Sequence, residues 1–125
     1  MIFDTDILIW IQRGSDKAAN IVDKSKIRMV SIQTYMELLQ CANSKKQQDI
    51  IRNYLHDFGF KIIPLTENIG HRASIYIEEY SIQNGLRAGD AIIAASAIEN
   101  RLMLVTANRK HYKIIPHLEL HIFKP

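Results

Sequence analysis

Residues 1–10 read MIFDTDILIW, an apolar stretch that is interrupted by two carboxylates, Asp4 and Asp6. A buried charge is costly unless a partner or an ion compensates for it, so two acids at the start of a core segment require an explanation. Residues 2–3 are typical of a short buried strand, and residues 5–12 are typical of a helix. The stretch therefore predicts a strand that passes directly into a helix, with an acid at the junction.

The same alternation of strand and helix continues along the chain. The predicted strands cover residues 2–3, 27–31, 61–65, 102–106 and 121–124. The predicted helices cover residues 5–12, 16–24, 33–42, 45–59, 66–85 and 89–100. Thr5 or Asp6 is available as the N-cap of the first helix, and Thr66 opens the fifth. Strands that alternate with helices indicate an α/β protein with a mostly parallel sheet.

The composition is that of a globular protein. The chain has 125 residues, of which 47% are hydrophobic, and this is enough to build a sizeable core. No apolar run approaches the roughly 20 residues that cross a bilayer, and the N-terminus lacks the pattern of a secretory signal. Cys41 is the only cysteine, which excludes an internal disulfide. We expect a single domain over residues 1–125, in the cytoplasm and without membrane contact.

Several polar residues stand beside apolar sequence, which suggests a shared crevice. They are Asp4, Glu37, Asp90 and Asn108. In a parallel sheet, functional groups gather outside the carboxyl ends of the strands, where Asp4 and Thr106 fall. Two carboxylates about 5 Å apart repel by on the order of 3 kcal/mol at an effective dielectric near 20, so they need a shared proton or a cation. Oxygen ligands without a Cys/His cluster favour Mg²⁺ or Mn²⁺. With a net charge of +3 and a pI of 9.1, the pattern favours metal-assisted chemistry on a phosphate substrate.

Each of these residues also has an ordinary structural explanation, and spacing alone favours it. Asp90 is suited to be the N-cap of the small-residue helix that follows it, and Asp4 is suited to cap the first helix. Glu37 is explained as a solvated helix residue and Asn108 as a turn residue. Their joint occurrence is what favours a functional site.

Four segments in order carry a resemblance to a known family. They are FDTDILI (3–9), VSIQTYMELL (30–39), GLRAGDAIIAASAIEN (85–100) and LVTANRKHY (104–112). Together they resemble a PIN domain, and more narrowly the VapC-type toxins of bacterial and archaeal toxin–antitoxin pairs. The resemblance covers nearly the whole chain. It implies a PIN-like α/β/α sandwich with a short, mostly parallel central sheet, and a Mg²⁺-dependent endoribonuclease.

The resemblance also implies the roles of individual residues. Asp4, Glu37 and Asp90 match the acids that hold the metal. Thr106 and Asn108 match the T-x-N/D motif at a strand end, and they would position water or a phosphate oxygen. Water activated by the metal would attack phosphorus and leave a 5′-phosphate and a 3′-hydroxyl.

Two positions depart from the common family pattern. Asp6 lies where many members carry Asn or Ser, so it adds charge to the site or caps the first helix. His111 lies where members often carry Asp or His, and Asn108 is not an acid. No fourth acid is therefore present at 108 or 111, which leaves open whether one or two metals bind.

Basic residues around the site would hold the RNA. The candidates are Arg109, Lys110, Lys113, Arg87 and Arg13. Members of the family commonly form homodimers, and an antitoxin usually inserts a segment into the catalytic groove. The resemblance thus implies RNA, an antitoxin protein and a second copy of the chain as partners.

Three other functions stay open at this point. DTDIL is loosely similar to the D-x-D signature of haloacid-dehalogenase-type phosphatases, although Ile7 and Ala94 depart from that family's motifs. A metal-independent ribonuclease would use histidine pairs and leave a cyclic phosphate. A PIN fold without catalysis would bind RNA or a protein, but the presence of all three acids favours an enzyme.

Overall fold

The computed structural model describes residues 1–125 as five strands and seven helices. The strands are β1 (Ile2–Phe3), β2 (Met29–Ser31), β3 (Lys61–Ile63), β4 (Leu104–Thr106) and β5 (Leu120–Ile122). The helices are α1 (Thr5–Gln12), α2 (Asp16–Lys24), α3 (Ile32–Cys41), α4 (Lys45–Asp57), α5 (Glu67–Asn84), α6 (Ala88–Glu99) and α7 (Arg109–Tyr112). The predicted α/β class is confirmed.

The five strands form one sheet in the order β3-β2-β1-β4-β5, and every neighbouring pair is parallel. From β1 the chain builds outward through β2 and β3, and it then crosses to the other side of β1 to form β4 and β5. The strand order therefore reverses between β1 and β4. Ligands of open parallel sheets bind in the crevice at such a reversal, outside the carboxyl ends of the strands.

The two residues of β1 contribute to two separate cores. Ile2 belongs to a cluster formed mainly with α5 and α6, whereas Phe3 belongs to a cluster formed mainly with helices α1 to α4. Neither side chain is exposed. Because successive strand residues point to opposite faces, this division places a helical layer on each side of the sheet.

The longest helix, α5, has defined ends. The Thr66 side chain accepts a hydrogen bond from Ile69 N at 3.2 Å, and Gly85 ends the helix in the left-handed conformation with φ 70°. This φ suits glycine because it has no Cβ. Neither α5 nor any other helix combines the length and the apolar character that a membrane crossing requires.

Several predicted boundaries differ from the structure by one or two residues. The strands predicted over 27–31, 61–65 and 102–106 are each three residues long, because their outer residues lie in connecting loops. The last strand begins at Leu120, and α7 was not predicted. The N-cap of α1 is Asp4, which confirms the prediction that Asp4 caps this helix, and the alternative assignment to Thr5 or Asp6 is wrong.

Candidate active site

Asp4 lies at the carboxyl end of the central strand and is only 6% exposed. As the N-cap of α1, it accepts a hydrogen bond from Thr5 N through Oδ1 at 2.8 Å. Its other oxygen, Oδ2, accepts a hydrogen bond from the Thr106 hydroxyl at 2.7 Å. Thr106 ends β4, the strand next to β1, so this bond spans the reversal in strand order. Asp4 therefore caps helix α1 and at the same time lies at the candidate active site.

Asp6 faces the same strand end. One of its oxygens, Oδ2, accepts a hydrogen bond from Ala107 N at 3.0 Å and lies 3.4 Å from the Thr106 hydroxyl. Its other oxygen, Oδ1, is buried and has no hydrogen-bond partner. Buried carboxylate oxygens are rarely left without a donor or an ion, so this atom is available to a proton, a water molecule or a cation.

The acids raise one another's proton affinity. Burial, followed by repulsion from Asp6 and then Asp90, raises the pKa of Asp4 to about 7 against hydrogen bonds from Thr106 and Thr5. The pKa of Asp6 is also raised, mainly by burial. An acid with a pKa near neutrality at the core edge is a common feature of functional sites.

Glu37 joins the same group from α3. Its Oε1 accepts a hydrogen bond from the Thr5 hydroxyl at 2.6 Å, and Thr5 Oγ1 in turn lies 3.1 Å from Thr34 Oγ1. A Cβ atom added at Gly89 would lie 3.4 Å from Glu37 Oε2, so Glu37 also borders the start of α6. Thr5 thus connects Glu37 to the backbone turn that carries Asp4.

Asp90 is the third residue of α6, so its predicted role as N-cap is wrong; the cap position is Arg87. The carboxylate reaches back to Arg87 N at 3.4 Å, a long contact, and accepts from the Tyr112 hydroxyl at 3.3 Å. Its Oδ2 lies 3.2 Å from His111 Nδ1. Asp90 therefore faces α7 and the crevice rather than serving only its own helix.

The T-x-N segment closes the site from β4 and α7. Asn108 N donates to the Thr106 hydroxyl oxygen at 3.0 Å, and Asn108 Nδ2 lies 2.8 Å from His111 Nδ1. Since Asp90 also contacts this ring nitrogen, Nδ1 cannot donate to Asp90 and accept from the amide at once. Asn108 and Asp90 therefore compete for His111.

The crevice has the chemistry of a divalent metal site without a ready-made set of ligands. No group of three or more His, Cys, Asp or Glu side chains is arranged to hold a metal ion. The acids bond to hydroxyl and amide groups instead. However, the charged donors Asp4, Asp6, Glu37 and Asp90 are all carboxylates, and Asp6 Oδ1 is buried and unpartnered. This donor set fits a hard cation such as Mg²⁺.

Four of the five basic candidates lie on or next to α6 and α7, the helices that carry Asp90 and the residues in contact with it. Arg109 and Lys110 form the first turn of α7, and Lys113 caps its end, next to the His111 and Tyr112 side chains that contact Asp90. Arg87 caps α6 at Asp90. Arg13 caps the far end of α1, about 12 Å along the helix from Thr5, where its guanidinium lies over Trp10.

Sequence reasoning missed the hydroxyl groups that hold the acids. The Thr5 hydroxyl contacts both Glu37 and Thr34, and the buried Tyr112 contacts Asp90. Thr5 lies between two acids in the D-T-D segment, and this position was the sequence signal that could have indicated its contact with the acids. The roles of Thr34 and Tyr112 depend on contacts between distant segments, which no local pattern reveals.

Comparison with known proteins gives one family. The family model of the PIN domain matches residues 1–115. No curated protein matches the sequence significantly.

Solved structures with the same fold include components of toxin–antitoxin complexes. A toxin–antitoxin complex from Klebsiella pneumoniae contains a chain that is 32% identical, with a TM-score of 0.79 and coverage of 94% of this chain and 93% of that one. For VapBC2 from Rickettsia felis bound to a DNA fragment from their promoter, the identity is 25%, the TM-score 0.81 and the coverage 99% and 100%. For VapBC-1 from nontypeable Haemophilus influenzae, the identity is 21%, the TM-score 0.79 and the coverage 98% of both chains, which shows the fold alone.

Proposed function

This chain belongs to the PIN domain family, and on that premise we propose that it is a Mg²⁺-dependent endoribonuclease, the toxin of a type II toxin–antitoxin pair. Mn²⁺ is the alternative cation. The observation that supports this proposal most is the group of acids at the reversal in strand order, which lie directly after β1 and on α1, α3 and α6, with a buried oxygen of Asp6 left unpartnered. Membership of this family also argues against a haloacid-dehalogenase-type phosphatase.

In the proposed mechanism, Asp4, Glu37 and Asp90 would hold the cation, and Asp6 would add negative charge beside them. A bound divalent cation lowers the pKa of water and neutralises charge on the phosphate. The Thr106 hydroxyl and Thr5 N fix the orientation of the Asp4 carboxylate, so its remaining lone pairs are available to the crevice.

The remaining polar groups act on the substrate. Asn108 is held against Thr106 by its backbone N–H, and its side chain would position water or a phosphate oxygen. Arg109 and Lys110 lie on α7 and Lys113 caps its end, and these three residues would bind the phosphodiester backbone. Because water is the nucleophile, the 2′-hydroxyl takes no part, and the products carry a 5′-phosphate and a 3′-hydroxyl.

The direct test is cleavage of a mixed RNA pool by protein freed of any partner. Mg²⁺, a chelator and the variant Asp4→Asn are compared, and the product ends are mapped. We expect cleavage that needs both Mg²⁺ and Asp4 and that leaves 5′-phosphates. Cleavage that persists in chelator and leaves cyclic phosphates would support the metal-independent ribonuclease instead. RNA binding without any cleavage would support a non-catalytic PIN module.

We also propose an antitoxin as the protein partner, because the relatives described above occur in toxin–antitoxin complexes. Two adjoining apolar cavities of about 310 and 180 Å³ lie between α1, α3 and α4. They share Gln12, Leu38, Ile50 and Ile51, and Ile50 is 58% exposed. An apolar segment of the antitoxin would bury this groove. We also propose that the protein is cytoplasmic and forms a homodimer.

The groove gives a specific prediction for Ile50. We expect Ile50→Glu to abolish co-purification of the co-expressed antitoxin, since it places a charge in the apolar groove, and to leave RNA cleavage intact. The matched control is Ile27→Glu, because Ile27 is also 58% exposed but lies in the loop before β2. Equal retention of the antitoxin by both variants would contradict the assignment of the groove.

A further inference from the structure

A second polar cleft lies away from the acids, between α2 and the edge strand β5. It encloses about 350 Å³ and is lined on one side by α2 and on the other by residues 121–124. The side chains that carry its charge are Lys17, Lys24 and Lys124, and His121 adds a fourth basic group. All four are exposed, so they are available to a ligand.

The lysines of α2 belong to one face of that helix. Lys17, Asn20, Ile21 and Lys24 follow the spacing i, i+3, i+4, i+7, and all four line the cleft. The helix also carries carboxylates, Asp16 and Asp23, but neither lines the cleft. The basic face is therefore directed at β5, and the acids lie beside it.

The three lysines are not neutralised by the protein. None of them lies within 4.0 Å of a carboxylate, since the ion pairs of the chain are all formed elsewhere. Glu119 precedes β5 but does not line the cleft. Three unpaired ammonium groups along one cleft produce a positive potential that favours a polyanion.

Hydrogen bonds connect one residue of the cleft, Phe123, to the strand end that carries the acids. Phe123 lines the cleft, and its N–H donates to the backbone oxygen of Thr106 at 2.8 Å. The hydroxyl of Thr106 in turn donates to Asp4. A strand of nucleic acid lying in the cleft would therefore pass within one β-strand of the acids.

We propose that this cleft binds the sugar–phosphate backbone of the RNA segment that flanks the scissile bond. The inference rests on the proposed ribonuclease function and extends it, because it adds a backbone subsite that is separate from the basic residues of α7. Lysine contacts to phosphates supply affinity without reading sequence, so the subsite would lower KM and leave the choice of cleavage position unchanged.

The test compares two variants with the same change in charge. The first is Lys17→Gln/Lys24→Gln/Lys124→Gln, which removes the three positive charges of the lysines that line the cleft. The control is Lys45→Gln/Lys46→Gln/Lys61→Gln, whose exposed lysines lie at the start of α4 and on β3, the opposite edge of the sheet. Binding of a fluorescent single-stranded RNA is measured by anisotropy in chelator over a range of salt concentrations.

We expect the cleft variant to bind RNA at least tenfold more weakly than the control. The slope of log Kd against log salt should fall by about 2, which corresponds to three lost phosphate contacts on a single strand. In Mg²⁺, KM should rise while kcat and the product ends stay as in the parent.

Other outcomes separate this inference from the proposed function. If the parent cuts RNA and the two variants bind RNA equally, the proposed role of the cleft is overturned, but the ribonuclease function is not. Loss of antitoxin co-purification from the cleft variant, with RNA binding at the level of the control, would also overturn it and would identify a protein interface. A parent that neither binds nor cuts RNA would overturn both. Circular dichroism of each variant confirms that it folds.

Discussion

At the residue scale, Asp4 explains why an acid is tolerated inside an apolar stretch. Its two oxygens accept hydrogen bonds from Thr5 N and the Thr106 hydroxyl, which offsets part of the cost of burial. The pKa of Asp4, raised to about 7, shows that this compensation is incomplete while the neighbouring acids are ionised. The remaining cost is removed by a proton or by a cation.

The raised pKa predicts how the stability of the metal-free protein depends on pH. The folded state binds a proton on Asp4 more tightly than the unfolded state, where the usual pKa is 3.8. The stabilisation of the folded state by this proton on Asp4 is therefore complete below about pH 4 and is lost as the pH rises through about 7. In chelator, we expect the Tm of the parent to fall between pH 5.5 and 8, measured by differential scanning fluorimetry. Asp4→Asn should reduce this dependence, and an identical fall in both proteins would contradict the assignment.

Asp90 allows the repulsion to be tested without a metal. Asn at this position removes the charge and keeps one acceptor oxygen, so it retains one of the two hydrogen bonds from the Tyr112 hydroxyl and Arg87 N, both of which are long contacts in the parent. We expect metal-free Asp90→Asn at pH 8 to melt no lower than the metal-free parent. A Tm lower by several degrees would mean that Asp90 is mainly a structural residue of α6.

At the element scale, helix and strand order was predictable because apolar spacing is local. The helix over 66–85 was placed nearly correctly, since Thr66 and Gly85 mark its ends. The helix α7 was not predicted, because four residues are too few for a periodic pattern and Asn108 forms no side-chain cap. The strand ends were overestimated because apolar residues such as Ile27 continue into the loops.

The ends and the interior of α5 give opposite predictions for the same substitution. Gly85→Ala should destabilise the protein by about 1 kcal/mol, because φ 70° is unfavourable for a residue with a Cβ. Gly70→Ala should stabilise it by up to about 1 kcal/mol, because Gly70 lies inside the helix and an added Cβ would meet nothing within 4 Å. Urea denaturation measures both values, and the same sign for the two variants would contradict the assigned helix end.

At the scale of the whole molecule, the position of the site followed from topology. Asp4 and Thr106 come after strands, and the parallel order of β1 and β4 brings them together at the reversal of the sheet. The contacts of Glu37 and Asp90 with Thr5, His111 and Tyr112 were not predictable, since they join side chains from helices that are distant in sequence. The placement of Arg13 at the far end of α1 likewise depends on helix length and direction.

Binding of a divalent cation by the acids at this reversal can be measured without RNA. The most direct measurement is the Tm of the purified, partner-free protein at pH 8 as Mg²⁺ or Mn²⁺ is added after chelator is removed. Binding to the folded state alone raises Tm with metal concentration. We predict a rise for the parent and little or none for Asp4→Asn and Asp90→Asn. A parent whose Tm does not respond to either cation, or variants that respond as the parent does, would contradict the account.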